Sequence, residues 1–265
     1  MIIDFHTHGK LAKYLEFSPA YTDWLFGAAR RAGLDALCLT EHFNTQGFRQ
    51  VYADISSRYP REGDAFDVNG LLVFPGMEVD IAEGGHTLVL GPMEDILSFN
   101  LALEPHKAKG SFLPFDELAA EVKRRDLHFG AGHPFRTPGH IPELSDEQLH
   151  AFEFVDLNGK DLSHDRTRTV EKTYAFAQRI GDVPVVSGSD THQAFQYGCV
   201  TTRMDSCCTT YDELFEMVNA RAYQIELADD LEFRVLTAAT LKRALKEIDR
   251  LGGSYVDTIL AGPAA

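Results

Sequence analysis

Residues 1–10, MIIDFHTHGK (Met1–Lys10), run from a β-type apolar stretch straight into two histidines one residue apart. A histidine pair where a first strand ends is either a surface turn or the start of a metal site. The second reading requires that other strands end in ligands too. Later segments do: LDALCLTEH ends at Glu41 and His42, and LLVFPGMEVD leads to Glu78. GGH brings His86 just ahead of Thr87–Leu90, and HFGAGHP ends at His133. FEFVDLNGK ends at Asn158, and VPVVSGSDTH at Asp190 and His192.

Short runs rich in Val, Leu, Ile and Phe predict strands at Ile2–Phe5, Ala36–Thr40, Leu71–Phe74, Thr87–Leu90, His128–Ala131, Phe152–Leu157, Val183–Ser187 and Gly198–Thr202. Helices are expected between several of them. Ser18-Pro19 opens one through about Ala32, stopped by Gly33. Pro114 opens Phe115–Arg125, and Asp165 can cap Arg166–Ile180. A capping-box pattern at Thr210–Glu213 precedes Leu214–Ala222, and Thr237–Arg250 reads as the last helix. Such β/α alternation means strands buried on both faces and joined by helices. An open sheet has one crevice at its switch point. Ligands after so many strands converge only if the sheet closes, so a barrel of seven or eight strands is expected, with function at the strand C-termini.

Six of the eleven histidines fall at these positions; His106, His128, His140, His150 and His164 read as surface or loop residues. The ligand set is His6, His8, His42, Glu78, His86, His133, Asp190 and His192. Imidazole and carboxylate without thiolate suit Zn, Mn, Fe or Co. The set is too large for one tetrahedral ion and suits two or three sharing a bridging carboxylate. Such a centre activates water and clamps a displacement at phosphorus. Gly76, Gly84-Gly85, Gly132 and Gly188 lie beside ligands, where backbone turns or approaches closely.

The chain has 265 residues, 44% hydrophobic and 25% charged, with a formal charge of −15. That excludes disorder and argues against nonspecific nucleic-acid binding, which draws on Lys and Arg. The four cysteines form no CxxC pair. No leader is expected ahead of the first strand, and no run of about 18 apolar residues suggests a membrane span. A soluble cytoplasmic protein is expected.

Taken in order, DFHTH, TEH, PGMEV, GGH, GHP and GSDTH resemble the polymerase and histidinol phosphatase (PHP) family, from Asp4 to His192. The resemblance implies a single domain over 1–265, a distorted (β/α)7 TIM-like barrel. Residues 193–265 would supply barrel closure and C-terminal helices. It implies a di- or trinuclear centre of Zn, Mn or Fe that hydrolyses phosphoesters. By motif, His6, His8, Glu78 and Asp190 look like ligands of a first ion. Glu78, His86 and His133 look like those of a second, with Glu78 bridging, and His42 and His192 like those of a third. One position departs. Trinuclear members carry a further His or Asp six or seven residues after HxH, where this chain has Tyr14 and Leu15, with Glu16 beside them. The third ion is therefore expected to be weak or absent, or a lysine near the substrate phosphate, Lys10 or Lys13, to replace part of its charge.

The expected activity is hydrolysis of a small phosphomonoester, histidinol phosphate or a similar metabolite, by attack of a metal-bridging hydroxide. Glu78, Asp190 and His192 are the catalytic candidates; the leaving-group proton falls to Asp190, His192 or a third ion. Lys10, Arg136, Lys160 and Arg166 are candidates for holding substrate. The alternatives are a phosphodiesterase or exonuclease, an amidohydrolase-type metal hydrolase, and a non-catalytic metal-binding module.

Overall fold

A computed structural model describes residues 1–261; positions 262–265 of the expected domain lie outside it. In chain order the elements are β1 (Ile2–Thr7), α1 (Pro19–Arg31), β2 (Ala36–Leu39), α2 (Phe48–Arg58), β3 (Arg61–Glu62), β4 (Ala65–Asp67), β5 (Leu72–Asp80), β6 (His86–Leu90), α3 (Met93–Ala102), α4 (Phe115–Arg124) and β7 (His128–Gly132). There follow α5 (Asp146–Leu149), β8 (Phe154–Asn158), α6 (Gly159–Leu162), α7 (Arg166–Arg179), β9 (Val185–Gly188), β10 (Val200–Met204), α8 (Tyr211–Asn219), β11 (Tyr223–Leu227), α9 (Leu231–Arg250) and α10 (Tyr255–Leu260).

The sheet order is β11-β10-β1-β2-β5-β6-β7-β8-β9. β1, β2 and β5 are parallel, as are β7, β8 and β9, while β6 runs antiparallel to both neighbours. The ends meet. Thr7 bridges Thr191, the His8 amide donates to the Thr191 carbonyl at 2.9 Å, and the Asp190 amide to the His6 carbonyl at 2.8 Å. Lower down, β10 pairs with β1, and its Thr202 hydroxyl accepts from the Ser187 amide of β9. β1, β2, β5, β6, β7, β8 and β9 thus form a nearly closed, distorted seven-stranded β/α barrel, with the β10–β11 pair wedged into its seam.

The reversed β6 explains how His86 reaches the ligand end. β5 and β6 form a hairpin through Gly84 and Gly85, both at positive φ. The start of β6 therefore lies beside the end of β5, at the same rim as the ends of the parallel strands. β5 runs on to Asp80, so Glu78 sits within a strand.

Helices α1, α2, α4 and α7 bury one face each, α2 through Phe48, Val51, Tyr52 and Ile55 at helical spacing. Ser18 and Asp165 cap α1 and α7 as expected. A second core of Ile3, Phe5, Ala36, Cys38, Phe74, Leu88 and Phe154 is covered by Tyr211, Leu214 and Phe215 of α8. Several strands shift by one or two residues at their ends, and β5 runs six residues past its expected end; two helices depart as well. The Thr210–Glu213 capping box starts α8 at Tyr211, and α8 ends at Asn219 so that Tyr223–Leu227 pairs with β10 as a half-exposed edge strand. α9 begins at Leu231 rather than Thr237, because Leu231 and Val235 extend its buried face. Among the described residues, no helix is long and apolar enough to cross a membrane.

Candidate metal centre

β1 carries the first two candidate ligands at a distortion. Its register with β2 shifts between Asp4 and Thr7. A bulge breaks strict alternation and re-aims side chains. Phe5 packs downward against Phe154, while His6 and His8 reach the rim. Beyond β2, His42 bridges to Glu78 of β5, and the Phe43 amide donates to the Glu78 carbonyl at 2.8 Å. His133 follows β7 and Asp190 follows β9, both at positive φ, 30° and 56°. Non-glycine residues held there store strain of about 1–3 kcal/mol, a cost met where surrounding structure needs that geometry.

These side chains converge on Glu78, whose two oxygens divide them. Oε1 lies 2.5 Å from His86 Nδ1, 3.0 Å from His133 Nε2 and 3.5 Å from His6 Nε2. Oε2 lies 2.7 Å from His42 Nδ1 and 3.5 Å from His8 Nε2. Asp190 divides as well: Oδ1 faces His8 (3.2 Å) and His192 (3.5 Å), and Oδ2 faces Arg136 (2.6 Å) and Lys160 (3.0 Å). Three groups each place donor atoms within 4.8 Å of one another: His6, His8 and Asp190; His6, Glu78 and His133; and His8, His42 and His192.

The donor atoms fit divalent cations. Two ligands on one ion, each at about 2.1 Å in tetrahedral geometry, stand roughly 3.4 Å apart. That is close to the separations of Glu78 and Asp190 from His6 and His8. His6 Nε2, His8 Nε2, His42 Nδ1 and Glu78 Oε2 are buried with no hydrogen-bond partner among the described residues. Buried polar atoms left so are costly unless something else satisfies them. No cysteine joins the cluster: Cys38, Cys199 and Cys208 are buried elsewhere and Cys207 is exposed.

A second layer aims the imidazoles. Asp156 Oδ2 accepts from His6 Nδ1 at 2.8 Å, turning Nε2 to the cluster. His192 Nδ1 donates to the Lys10 carbonyl at 3.0 Å, so its Nε2 lone pair faces Asp190. Glu41 receives the amides of Gly9 and His42, both at 3.1 Å, and stands 3.8 Å from His8 Nδ1. Asp80 takes the outer nitrogen of His86 at 2.9 Å. Of these carboxylates, Asp156 and Asp80 stand outside the candidates read from sequence, while Glu41, noted there at the end of its strand, lies behind His8 rather than in the ligand set. Asp156, alone among Val155 and Leu157 in a buried strand, carried the signal, since a buried charge needs a partner.

The electrostatics follow from this crowding. Burial pushes the Glu78 carboxyl up, but His86, His42 and His6 outweigh it and hold Glu78 well below the usual carboxylate range. Burial opposes ionisation of Asp190 too, and Lys160 and Arg136 overcome it. Burial works against charge on His6, His8 and His86, yet the carboxylates beside them raise all three, His86 to about 10. His133 falls to about 4 through burial and the Arg136 charge. Cations and protons compete for the same lone pairs. Metal uptake is therefore expected to release protons, and affinity to rise with pH until those imidazoles are neutral. Calorimetric titration in buffers of different ionisation enthalpy measures this; buffer-independent heats would contradict it.

The candidates for substrate contact separate. Arg136 spans Asp190, Asp161 (2.9 Å) and Asn158 (2.5 Å), and Lys160 stands next to it. Arg166 is not brought to the cluster; its guanidinium donates to the Ala228 carbonyl at 2.9 Å. Lys10 is buried, and its ammonium donates to the Thr45 hydroxyl (3.1 Å) and the Gln46 carbonyl, away from the ligands. Lys13 is half-exposed, 3.8 Å from Asp80. Glu16 is exposed and does not replace the missing ligand.

No protein-family model matches the sequence, and no curated protein does. Solved structures are similar in fold. PsfC from Pseudomonas syringae PB-5123 superposes with a TM-score of 0.75 at 20% identity, over 92% of this chain and 98% of that one. The lesion-specific endonuclease Q of Pyrococcus furiosus gives 0.59 at 15% identity, over 85% of this chain and 58% of its own. A Chromobacterium violaceum protein described as an amidohydrolase, with bound sulfate and no metal, gives 0.54 at 16% identity, over 86% and 98%. At these identities the likeness is one of fold.

Proposed function

We propose that the chain is a metal-dependent phosphoesterase that releases phosphate from a small phosphomonoester. Neighbours described as an endonuclease and an amidohydrolase share the fold, so the fold does not choose the substrate. The observation that carries the reading is the split at Asp190. One oxygen faces the ligand cluster, and the other gathers Arg136 and Lys160 at its edge. Two cations beside a metal cluster suit a phosphoryl group; a neutral amide or lactone has no use for them. They remain 26% and 32% exposed, so a ligand can reach them. A cleft of about 620 Å3, lined by Phe135, Lys160, His164, Arg168 and Lys172 among others, borders them and offers room for the alcohol portion. The net charge of −15 disfavours a long nucleic acid.

Glu78 would be shared between two ions; His6, His8 and Asp190 would help hold one, and His86 and His133 the other. The ions, of the Zn, Mn or Fe type, supply a Lewis acid for the phosphoryl group and lower the pKa of the attacking water. Arg136, fixed by Asp161 and Asn158, presents its planar fork to the phosphoryl oxygens and sets their orientation. His192 acts as a ligand: its Nδ1 proton is committed to the Lys10 carbonyl, and burial holds its pKa well below the usual imidazole value. Asp190 stays ionised, so neither residue brings a proton to the leaving oxygen.

A substrate panel with Mn or Zn tests the reading. Phosphate release from small monoesters, histidinol phosphate among them, with oligonucleotides untouched, is the expected result. Turnover of oligonucleotides alone, or of an amide or lactone alone, would replace it.

A further inference from the structure

The cleft beside Asp190 runs against the charge of the chain. The sequence carries 40 acidic against 25 basic side chains. Yet Arg136, Lys160, Arg168 and Lys172 line this cleft, with only Asp161 and Asp165 to oppose them. Both carboxylates are engaged. Asp161 accepts from Arg136 Nε at 2.9 Å, and Asp165 caps α7 by accepting the Arg168 amide at 3.0 Å.

The four cations form two pairs. Arg136 and Lys160 stand next to the metal cluster, both on the outer oxygen of Asp190. Arg168 and Lys172 belong to α7, are exposed, and lie about one turn apart on the face that lines the cleft. Like charges at that spacing repel each other and weaken a helix. Among the described residues, neither side chain makes an ion pair or hydrogen bond. The Lys172 ammonium stands 5.6 Å over the Phe135 ring, which is set edge-on against Phe176 at 5.6 Å. Phe135 adjoins Arg136 in the chain, so a fixed apolar wall links the two cationic pairs.

We propose that Arg168 and Lys172 bind a second anionic group, a carboxylate or phosphate on the alcohol portion of the substrate, and so select doubly anionic phosphomonoesters. The substrate then lies along Phe135, with its scissile phosphoryl group at Arg136 and Lys160. An alcohol that carries an ammonium, as histidinol does, meets cations at both ends of the cleft and is turned over more slowly. The inference rests on the phosphoesterase reading and names its substrate class; ligand binding separates the two.

The metal-loaded protein is assayed for phosphate release from phosphoglycerate, glycerol phosphate and phosphoethanolamine, which differ in the charge of the alcohol portion. Fructose bisphosphate against fructose monophosphate gives the matching comparison for a second phosphate. The doubly anionic member is expected to have a kcat/KM about tenfold higher than its neutral counterpart, the scale of one charge-assisted contact. Phosphoethanolamine should be the poorest. Whichever pair shows the larger advantage identifies the second anion as carboxylate or phosphate. R168M/K172M should lose that advantage, mainly through KM, while glycerol phosphate stays within about twofold of the parent. Its melting temperature should match or exceed the parent's, since a repulsive pair has gone. R168Q/K172Q serves should the methionine variant fail to fold. Equal kcat/KM across both comparisons, or an advantage that survives removal of both charges, overturns the proposal. If no phosphoester is hydrolysed, calorimetric binding of the same compounds decides. Tighter binding of the doubly anionic member, lost in the variant, upholds the cleft assignment while the catalytic reading fails. Equal binding removes both.

Discussion

Glu78→Gln is expected to remove most of the metal and lower phosphoesterase activity by about 10³-fold or more, a loss of about 4 kcal/mol in transition-state stabilisation. Five imidazoles lie within 3.5 Å of the Glu78 carboxylate. Glutamine matches its size but offers one neutral oxygen in place of two charged ones. It cannot bridge two cations, and its amide nitrogen would face a lone pair of His42 or His86. Metal content should fall from two ions per chain to one or fewer. The fold should persist, because His6, His8 and His86 owe their raised proton affinity to neighbouring carboxylates. With Glu78 neutralised, those imidazoles release protons more readily instead of remaining as buried unpaired charge. Metal analysis, turnover of p-nitrophenyl phosphate and a melting curve decide it. Two retained ions with activity within tenfold of the parent would remove the bridging role.

How far the sequence disclosed this site depends on what each residue does. The convergence of the candidates that end strands was legible, because a barrel brings all strand ends to one rim whatever lies between them. His86 was legible by its motif, although the reason it reaches the rim is the reversal of β6. Lys10 is a natural candidate because it begins the loop after His8 where a further ligand is expected. Past Thr7, however, the chain leaves the strand; the Lys10 side chain then runs to Thr45 and Gln46, and only its carbonyl reaches His192. Arg136 and Arg166 looked equivalent in sequence. They separate because Arg136 sits three residues after His133, while Arg166 opens α7 and meets Ala228.

Asp156→Asn tests whether the second layer matters as much as its burial suggests. Asp156 Oδ2 gathers His6 Nδ1 at 2.8 Å, Asn158 Nδ2 at 2.9 Å and the His133 amide at 3.3 Å. It therefore aims one ligand and steadies the backbone of another, which is held at positive φ. An asparagine oxygen can still accept from His6, so the imidazole keeps its orientation but loses the negative charge that makes Nε2 a stronger donor. Metal affinity should fall about 10- to 100-fold, the usual cost of removing such a partner. Metal-free stability should change little. The metal-dependent rise in melting temperature should shrink, since stabilisation scales with the logarithm of ligand concentration over Kd. Gly188→Ala offers an independent route to the same phenotype. A Cβ there would lie 2.1 Å from Asp156 Oδ1 and 2.6 Å from His6 Cβ, so one of the two must move. If both variants hold metal as tightly as the parent under a competing chelator, the orientation of His6 is set by the barrel wall alone, and the carboxylate is only a buried acceptor.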